Sequence, residues 1–427
     1  MTDRPRPHNP LIQSGISLDR RALLTGAAGA VAALGSAATA RAGGIPKELP
    51  DWTTGMGPGV TDEPYGTPSK FEAHVVRRNV EWLTASTESS INFTPLQDLN
   101  GILTPNGLFF ERHHSGRADV DPAQHRLVIH GMVERPVSLT MEDLQRLPPV
   151  DRIAFTECAA NGGMEWRGAQ LNGVQFVRGM LGCAQWTGVS VRTLLEHAGV
   201  RPGAKWVLAE GADNAALDRS IPLDKMLDDA IVAYAQNGER LRPGQGYPIR
   251  LVLPGYEGNM WVKWLRRLEV GDQPWYTRWE TSKYTDLLPT GKAIKFSFVQ
   301  EANSVITSPS PEKPLNGPGQ YVIRGLAWSG NGRVARVDVS TDGGKNWVQA
   351  PLQEPVLPKA LTRFYLPWRW DGGSALLQCR AIDETGYVQP TIEALRNVRG
   401  RNSIYHNNSI ITWLINPSGE VENVQVA

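Results

Sequence analysis

Residues 153–168 read IAFTECAANGGMEWRG: a short strand-like run ends at Glu157, and a single cysteine, Cys158, opens a segment rich in Ala, Asn and Gly. A thiol placed there can fill a core pocket, close a disulfide or hold a metal, and composition favours packing. Zinc is a poor fit, because it recruits three or four protein ligands and no close Cys or His cluster accompanies Cys158. A hydrolase reading fares no better, since the chain has no G-x-S-x-G elbow. What one thiolate can do is complete the shell of a soft metal whose other ligands come from an organic cofactor. Cys183, in GMLGCAQW, and Cys379, in LLQCRAI, read as core thiols, with a disulfide between two of the three cysteines left open.

Other stretches carry polar groups without a helical stripe. In FFERHHSG, 109–116, side-chain alternation in an extended chain puts Arg112 and His114 on one face and His113 on the other. A cation and an imidazole then share a target, or the segment is a basic surface patch. GQGYPIRLVLPGYEGNMWVKWLRRLEV, 244–270, combines glycines that let backbone approach a ligand with Arg250, Lys263, Arg266 and Arg267. It lacks the spacing of a nucleotide-binding loop. WETSKYTDLLP, 279–289, brings Tyr284 beside Lys283; a phenol next to positive charge can donate to an oxyanion, or simply pack.

The chain has 427 residues, enough for two domains, and its 44 basic and 43 acidic side chains leave a formal charge of +1, which gives no electrostatic case for nucleic-acid binding. Residues 1–42 pair Arg20 and Arg21 with a weakly apolar Ala/Gly/Leu stretch ending in Ala40-Arg41-Ala42, the pattern of a twin-arginine export signal for folded, cofactor-loaded proteins. A periplasmic destination follows. Residues 43–95 read as an extended arm with one helical stretch at FEAHVVRRNVEWL. From 96 to 287, strand-like runs such as RLVIHG and WVLAEG alternate with helical ones. In SVRTLLEHAG, Val191, Leu194, Leu195 and Ala198 keep helical spacing. That texture predicts a mixed α+β domain. From 288 to 427, short runs such as IKFSFVQ, YVIRGLAW, VARVDVS and ALLQCRAID, separated by turn residues, predict an immunoglobulin-like β-sandwich. Ala335, Val337 and Val339 are expected to share one face with Arg336 and Asp338 on the other, with a hairpin turn at Asp342-Gly343-Gly344 and with Trp347 and Tyr387 as packing anchors.

ECAANGGMEWRGAQLNG, RHHSG, PGYEGNMWVKWLRR, ETSKYTDLLP and the closing YHNN and GEVENV together resemble the sulfite oxidase family of molybdenum enzymes, and within it the molybdenum subunits of bacterial sulfur (sulfane) dehydrogenases. The resemblance implies a molybdopterin-binding domain over 96–287, followed by a sandwich through which the subunits dimerise. It implies Cys158 as the protein ligand to molybdenum, Arg112 at the oxyanion pocket and Tyr284 as the active-site tyrosine. Phe110, Glu111, Arg112, His113 and His114 fall on the family's cofactor-binding stretch, and Asp213, Gln245, Arg250, Trp261, Val262 and Lys263 on further cofactor-contact positions. Three departures stand out: Gly163 and Met260 where sulfite oxidases carry arginines, and Gln245 where they carry a histidine. A missing cation weakens attraction for a small dianion. Gly163 is therefore expected to leave room for sulfur held on a carrier's flexible arm, unless Arg167 substitutes in space. The implied activity is oxidation of carrier-bound sulfane sulfur during thiosulfate oxidation, with oxidation of free sulfite as the alternative. No C-x-x-C-H haem motif is present, so a separate c-type cytochrome subunit is expected to take the electrons within a heterotetramer.

Overall fold

The computed structural model describes residues 66–83 and 90–426, and the proposed export signal lies outside them. Within the arm, the expected helical stretch is two single 3-10 turns, Lys70–Glu72 and Glu81–Leu83. Between them Arg78 pairs with Phe93 in an extended bridge, so the segment spends its backbone hydrogen bonds on a neighbour and not on itself.

The α+β part uses strands β1 (Leu127–Gly131), β2 (Val137–Leu139), β3 (Val150–Glu157), β4 (Leu181–Ser190), β5 (Trp206–Gly211), β6 (Asp218–Pro222), β7 (Ile231–Gln236), β8 (Glu239–Arg240), β9 (Arg250–Val252) and β10 (Leu265–Gly271). They form two five-stranded sheets, β2-β1-β10-β5-β6 and β3-β4-β7-β8 with β9 on β7; only the β1 and β10 pairing is parallel. The helix Val191–Ala198 forms where its spacing predicts. Val191, Leu194, Leu195 and Ala198 are buried, and Gly199 ends it at φ +74°.

The second part is the expected sandwich, with one sheet of Asn303–Ser308, Gly319–Trp328, Thr362–Trp370 and Leu352–Gln353, and a facing sheet of Val348–Ala350, Val334–Ser340, Ala375–Asp383, Thr412–Ile415 and Val421–Val424. Two local expectations need correction. IKFSFVQ contributes only Ile294 to the two-residue strand Ala293–Ile294, and its aromatic Phe296 and Phe298 pack at a tilt against Trp206 instead of joining a sheet. Ala335 is exposed, because a register shift between Val334 and Arg336 bulges the strand and turns that side chain outward. The turn after this strand has Gly343 and Gly344 at φ +74° and +87°. Trp347 packs under the Arg380 guanidinium, and the Tyr387 hydroxyl meets Glu301 and Asn408.

Phe155, Leu181 and Cys183 from β3 and β4 share one apolar cluster with the sandwich residues Val305, Leu326, Trp328 and Trp413. Burial of these large side chains ties the end of β3, and so Cys158, to the sandwich. All three cysteines are buried and free.

Candidate active site

Cys158 follows the last residue of β3, and its N–H donates to Met180 O at 3.0 Å. A Cβ on Gly258 would lie 2.7 Å from Glu157 O and 3.4 Å from the Cys158 nitrogen, so glycine lets the 254–264 loop close against the cysteine's backbone. Opposite, Ile91 pairs with Arg112 in an antiparallel bridge that holds 110–114 extended. Tyr284 comes from the turn after the short helix Arg278–Thr281, which is fixed by a Thr277–Glu280 capping box, and sits at φ +52°, a costly backbone for a tyrosine.

These elements surround a partly open pocket. Of the site residues named from sequence, Phe110, Glu111, Arg112, His114, Cys158, Gln245, Arg250, Trp261, Lys263 and Tyr284 line it. His113, Asp213 and Val262 do not. His113 is a strut behind the wall: Nε2 bonds Glu111 at 2.9 Å and Nδ1 meets Lys263 Nζ at 2.8 Å. Asp213 accepts the Leu217 N–H at 3.1 Å and the Ser115 hydroxyl at 3.4 Å. Val262 is wholly buried in the core.

Hydrogen-bond donors fix the proton positions along one wall. Arg112 Nη2 lies 3.0 Å from His114 Nδ1, and a guanidinium can only donate, so Nδ1 accepts. Burial and the charge of Arg112 hold His114 down to about 3, so the ring is neutral and its proton is on Nε2. Nε2 sits 2.7 Å from the Tyr284 oxygen and therefore donates to it, which leaves the phenol hydrogen free to point into the pocket. Burial raises Tyr284 well above the usual phenol range, so it stays a donor at neutral pH. Burial also raises the Cys158 thiol; the nearby Arg112 charge opposes this.

Lys263 donates to Arg112 O, Gly244 O and His113, and burial pulls it well below the usual amine range. Arg250 stacks on Trp186 and Trp261 and donates to Gln245 and Trp261; burial brings it down to about 9. Gln245 donates to Phe110 O at 2.9 Å. The Nε of Arg250, the Thr156 hydroxyl and both polar atoms of the Asn259 amide are buried without a partner in the chain. Unpartnered buried polar groups beside cations are what an anionic organic ligand satisfies. Among the described residues no three His, Cys, Asp or Glu side chains converge to hold an ion, so a metal here needs ligands beyond the protein. The residues present thus fit an anionic organic cofactor, and Cys158 is the thiol that would be available to a metal it carried.

Gly163 and Arg167 sit elsewhere than expected. A Cβ on Gly163 would lie 2.7 Å from Ile404 O, so the segment 403–404 occupies the space that a missing side chain was expected to leave. Arg167 is exposed and lines a separate, mostly apolar pocket with Gly163, Ile404, Phe176 and Met180. It does not replace a cation beside Cys158. Met260 does have a counterpart: its sulfur receives Arg219 Nε at 3.0 Å, and that guanidinium lies 5.2 Å from the Tyr284 ring centroid. Arg219, Thr156, Leu217, Asn259 and Tyr405 escaped the sequence reading. For Arg219 a signal existed, since alternation in LDRSIP puts it on one strand face with Leu217 and Ile221.

A buried thiol on the floor of a cation-lined pocket, carried by an α+β domain joined to a β-sandwich, is the site of a molybdopterin oxidoreductase. The chain belongs to the sulfite oxidase family: residues 114–279 match the oxidoreductase molybdopterin binding domain and residues 295–413 the Mo-co oxidoreductase dimerisation domain. Sulfite oxidase of Gallus gallus is 34% identical over 349 residues, 74% of this chain and 75% of that protein. Mitochondrial sulfite oxidase of Mus musculus is 30% identical over 351 residues, and the match spans 63% of it, less than two thirds. The crystal structure of the sulfane dehydrogenase SoxCD from Paracoccus pantotrophus superposes with a TM-score of 0.85 at 56% identity, covering 90% of this chain and 100% of that one. Among the described residues, no helix is long and apolar enough to cross a membrane.

Proposed function

We propose that this chain is the molybdenum subunit of a periplasmic sulfane dehydrogenase, oxidising sulfane sulfur held on a carrier protein and passing electrons to a c-type cytochrome subunit. The observation that carries this reading is the 56% identity to the sulfane dehydrogenase SoxCD over the whole of that chain. It gains support from the absence of an arginine at 163 and from the outward position of Arg167, which leave fewer cations for a free dianion.

In this reading residues 96–287 bind the cofactor and residues 288–427 dimerise. Cys158 ligates molybdenum. Arg250, Lys263, Gln245, Asn259, Trp261 and the 110–114 segment hold the pterin and its phosphate, with His113 and Asp213 bracing the wall behind them. When bound, the molybdenum cofactor supplies the two-electron redox chemistry and the oxygen transfer. The protein positions and excludes water. Arg112 holds the oxyanion that develops on sulfur, and the Tyr284 O–H donates into the same space. Export through residues 1–42 would carry the chain across already folded, with the cofactor in place.

The test is turnover of purified, molybdenum-replete enzyme with its cytochrome. Cytochrome reduction driven by a sulfane-loaded carrier protein, at a kcat/KM well above that for free sulfite, is the expected result. Strong activity on free sulfite with none on the loaded carrier would reverse the assignment.

A further inference from the structure

Arg219 is wholly buried, yet it does not line the pocket. Burying a guanidinium is costly unless its donors and charge find partners, and all three of its nitrogens face one here. Nε donates to Met260 sulfur at 3.0 Å, Nη1 to Trp279 O, and Nη2 lies 3.6 Å from Glu257. Glu257 is buried as well and lies 3.2 Å from His406 Nε2. His406 has φ +57°, and its N–H donates to Ala159 O, one residue beyond Cys158.

The result is a buried row, His406, Glu257, Arg219, ending on the face of the Tyr284 ring at 5.2 Å from its centroid. A guanidinium over an aromatic face is attracted by the ring quadrupole, most strongly where both are desolvated. Tyr284 needs such a partner. Its backbone is in the left-handed region, and among the described residues its hydroxyl is held by His114 alone. Trp279 and Tyr405 touch the ring as tilted contacts, with centroids 6.5 Å and 5.3 Å away.

We propose that Arg219, braced by Glu257 and His406, is a positioning residue that acts through Tyr284 by fixing the ring and aiming its hydroxyl at the reacting sulfur. The inference rests on the proposed role of Tyr284 in oxidation, but the placement of the ring does not depend on which sulfur compound is oxidised.

The experiment uses full-length enzyme with 3-fluorotyrosine at position 284 and reads the fluorine NMR signal before any turnover. Arg219→Met is expected to shift and broaden that signal, and Arg219→Lys to return it at least halfway. Because Met leaves Glu257 without its cation, the double variant Arg219→Met with Glu257→Gln is made in parallel and is expected to give the same fluorine change in a chain of near-normal stability. In the unlabelled enzyme, on whichever substrate it turns over, Arg219→Met is expected to lower kcat about tenfold with KM within about twofold. In a Tyr284→Phe background it is expected to add little, since the two act as one unit. A fluorine signal unmoved in both Met variants overturns the proposal, and so does a full tenfold further loss in the Tyr284→Phe background. Failure on sulfane substrate with the fluorine result intact would instead count against the proposed function.

Discussion

Nε2 of His114 lies 2.7 Å from the hydroxyl oxygen of Tyr284, while Nδ1 of the same ring faces the Arg112 guanidinium at 3.0 Å. Each contact has one possible donor, so the chain runs from Arg112 through His114 to Tyr284 and ends on a phenol proton aimed at the pocket. Tyr284→Phe removes that last donor, and with it the acceptor of the His114 Nε2–H. The expected outcome is a fall in kcat of about 10- to 100-fold with KM changed less than about threefold. Steady-state kinetics on the molybdenum-replete enzyme check it. A loss confined to KM would mean that the hydroxyl serves substrate binding alone.

The same neutral imidazoles make the apo-chain labile to acid. His113 and His114 are held to about 4 and about 3, first by burial and then by the charges of Lys263 and Arg112. In the unfolded chain both titrate near 6.5, so between these values the unfolded state binds more protons and stability falls as pH falls. Glu111 works in the same direction. Despite burial, His113, Arg77 and Arg117 hold its carboxylate well below the ordinary range, so its contribution is present above about pH 4.5 and is lost at lower pH. Denaturant unfolding of the apo-chain is expected to lose about 3 kcal/mol between pH 7.5 and 5, mostly from the two histidines. His113→Gln should flatten part of that slope; a pH-independent midpoint would contradict the assigned protonation states.

How much of this could be read beforehand differs by element. The Val191–Ala198 helix was legible because four apolar residues at helical spacing end in a glycine that can adopt positive φ. The alternation Arg112/His114 against His113 was legible because an extended chain has a period of two. The bulge at Ala335 and the loop course of Phe296 and Phe298 were not, since both are set by partners distant in sequence: a shifted register in one case and Trp206 in the other. The Gly163 expectation failed for a related reason. An absent side chain says that space is needed, and only the fold says that Ile404 takes it.

The three cysteines separate chemistry from packing. Cys183 and Cys379 are buried in the apolar cluster shared with the sandwich, Cys379 also receiving the Ser304 hydroxyl, and burial pushes both thiols up to about 12, which makes them inert. Cys183→Ala is expected to cost about 1–2 kcal/mol of stability and to leave turnover per bound molybdenum unchanged. Cys158→Ser, at the pocket wall, is expected to abolish turnover while shifting the unfolding midpoint very little. Metal analysis and denaturation on the two variants decide this. Full turnover in the serine variant would remove Cys158 from the reaction.

Gly163 tests how tightly the segment 403–406 is fitted over the site. The nearest atom to an added Cβ is backbone, the Ile404 carbonyl at 2.7 Å, so a side chain there cannot be accommodated by a rotamer change. Ile404 is 53% exposed and can move outward, but the next residue, Tyr405, packs 5.3 Å from the Tyr284 ring, and His406 is tied to Glu257 and Ala159. Displacement at 404 is therefore transmitted to Tyr284. Gly163→Ala is expected to cost about 1–3 kcal/mol and to lower kcat about three- to tenfold. Gly163→Arg is expected to do worse on both counts and not to improve KM for sulfite, because the Ile404 carbonyl stands where its Cβ would go. Denaturation midpoints and kinetics with sulfite measure both. A Gly163→Arg enzyme that is stable and binds sulfite more tightly would show that the segment yields freely and that the cation alone sets the preference.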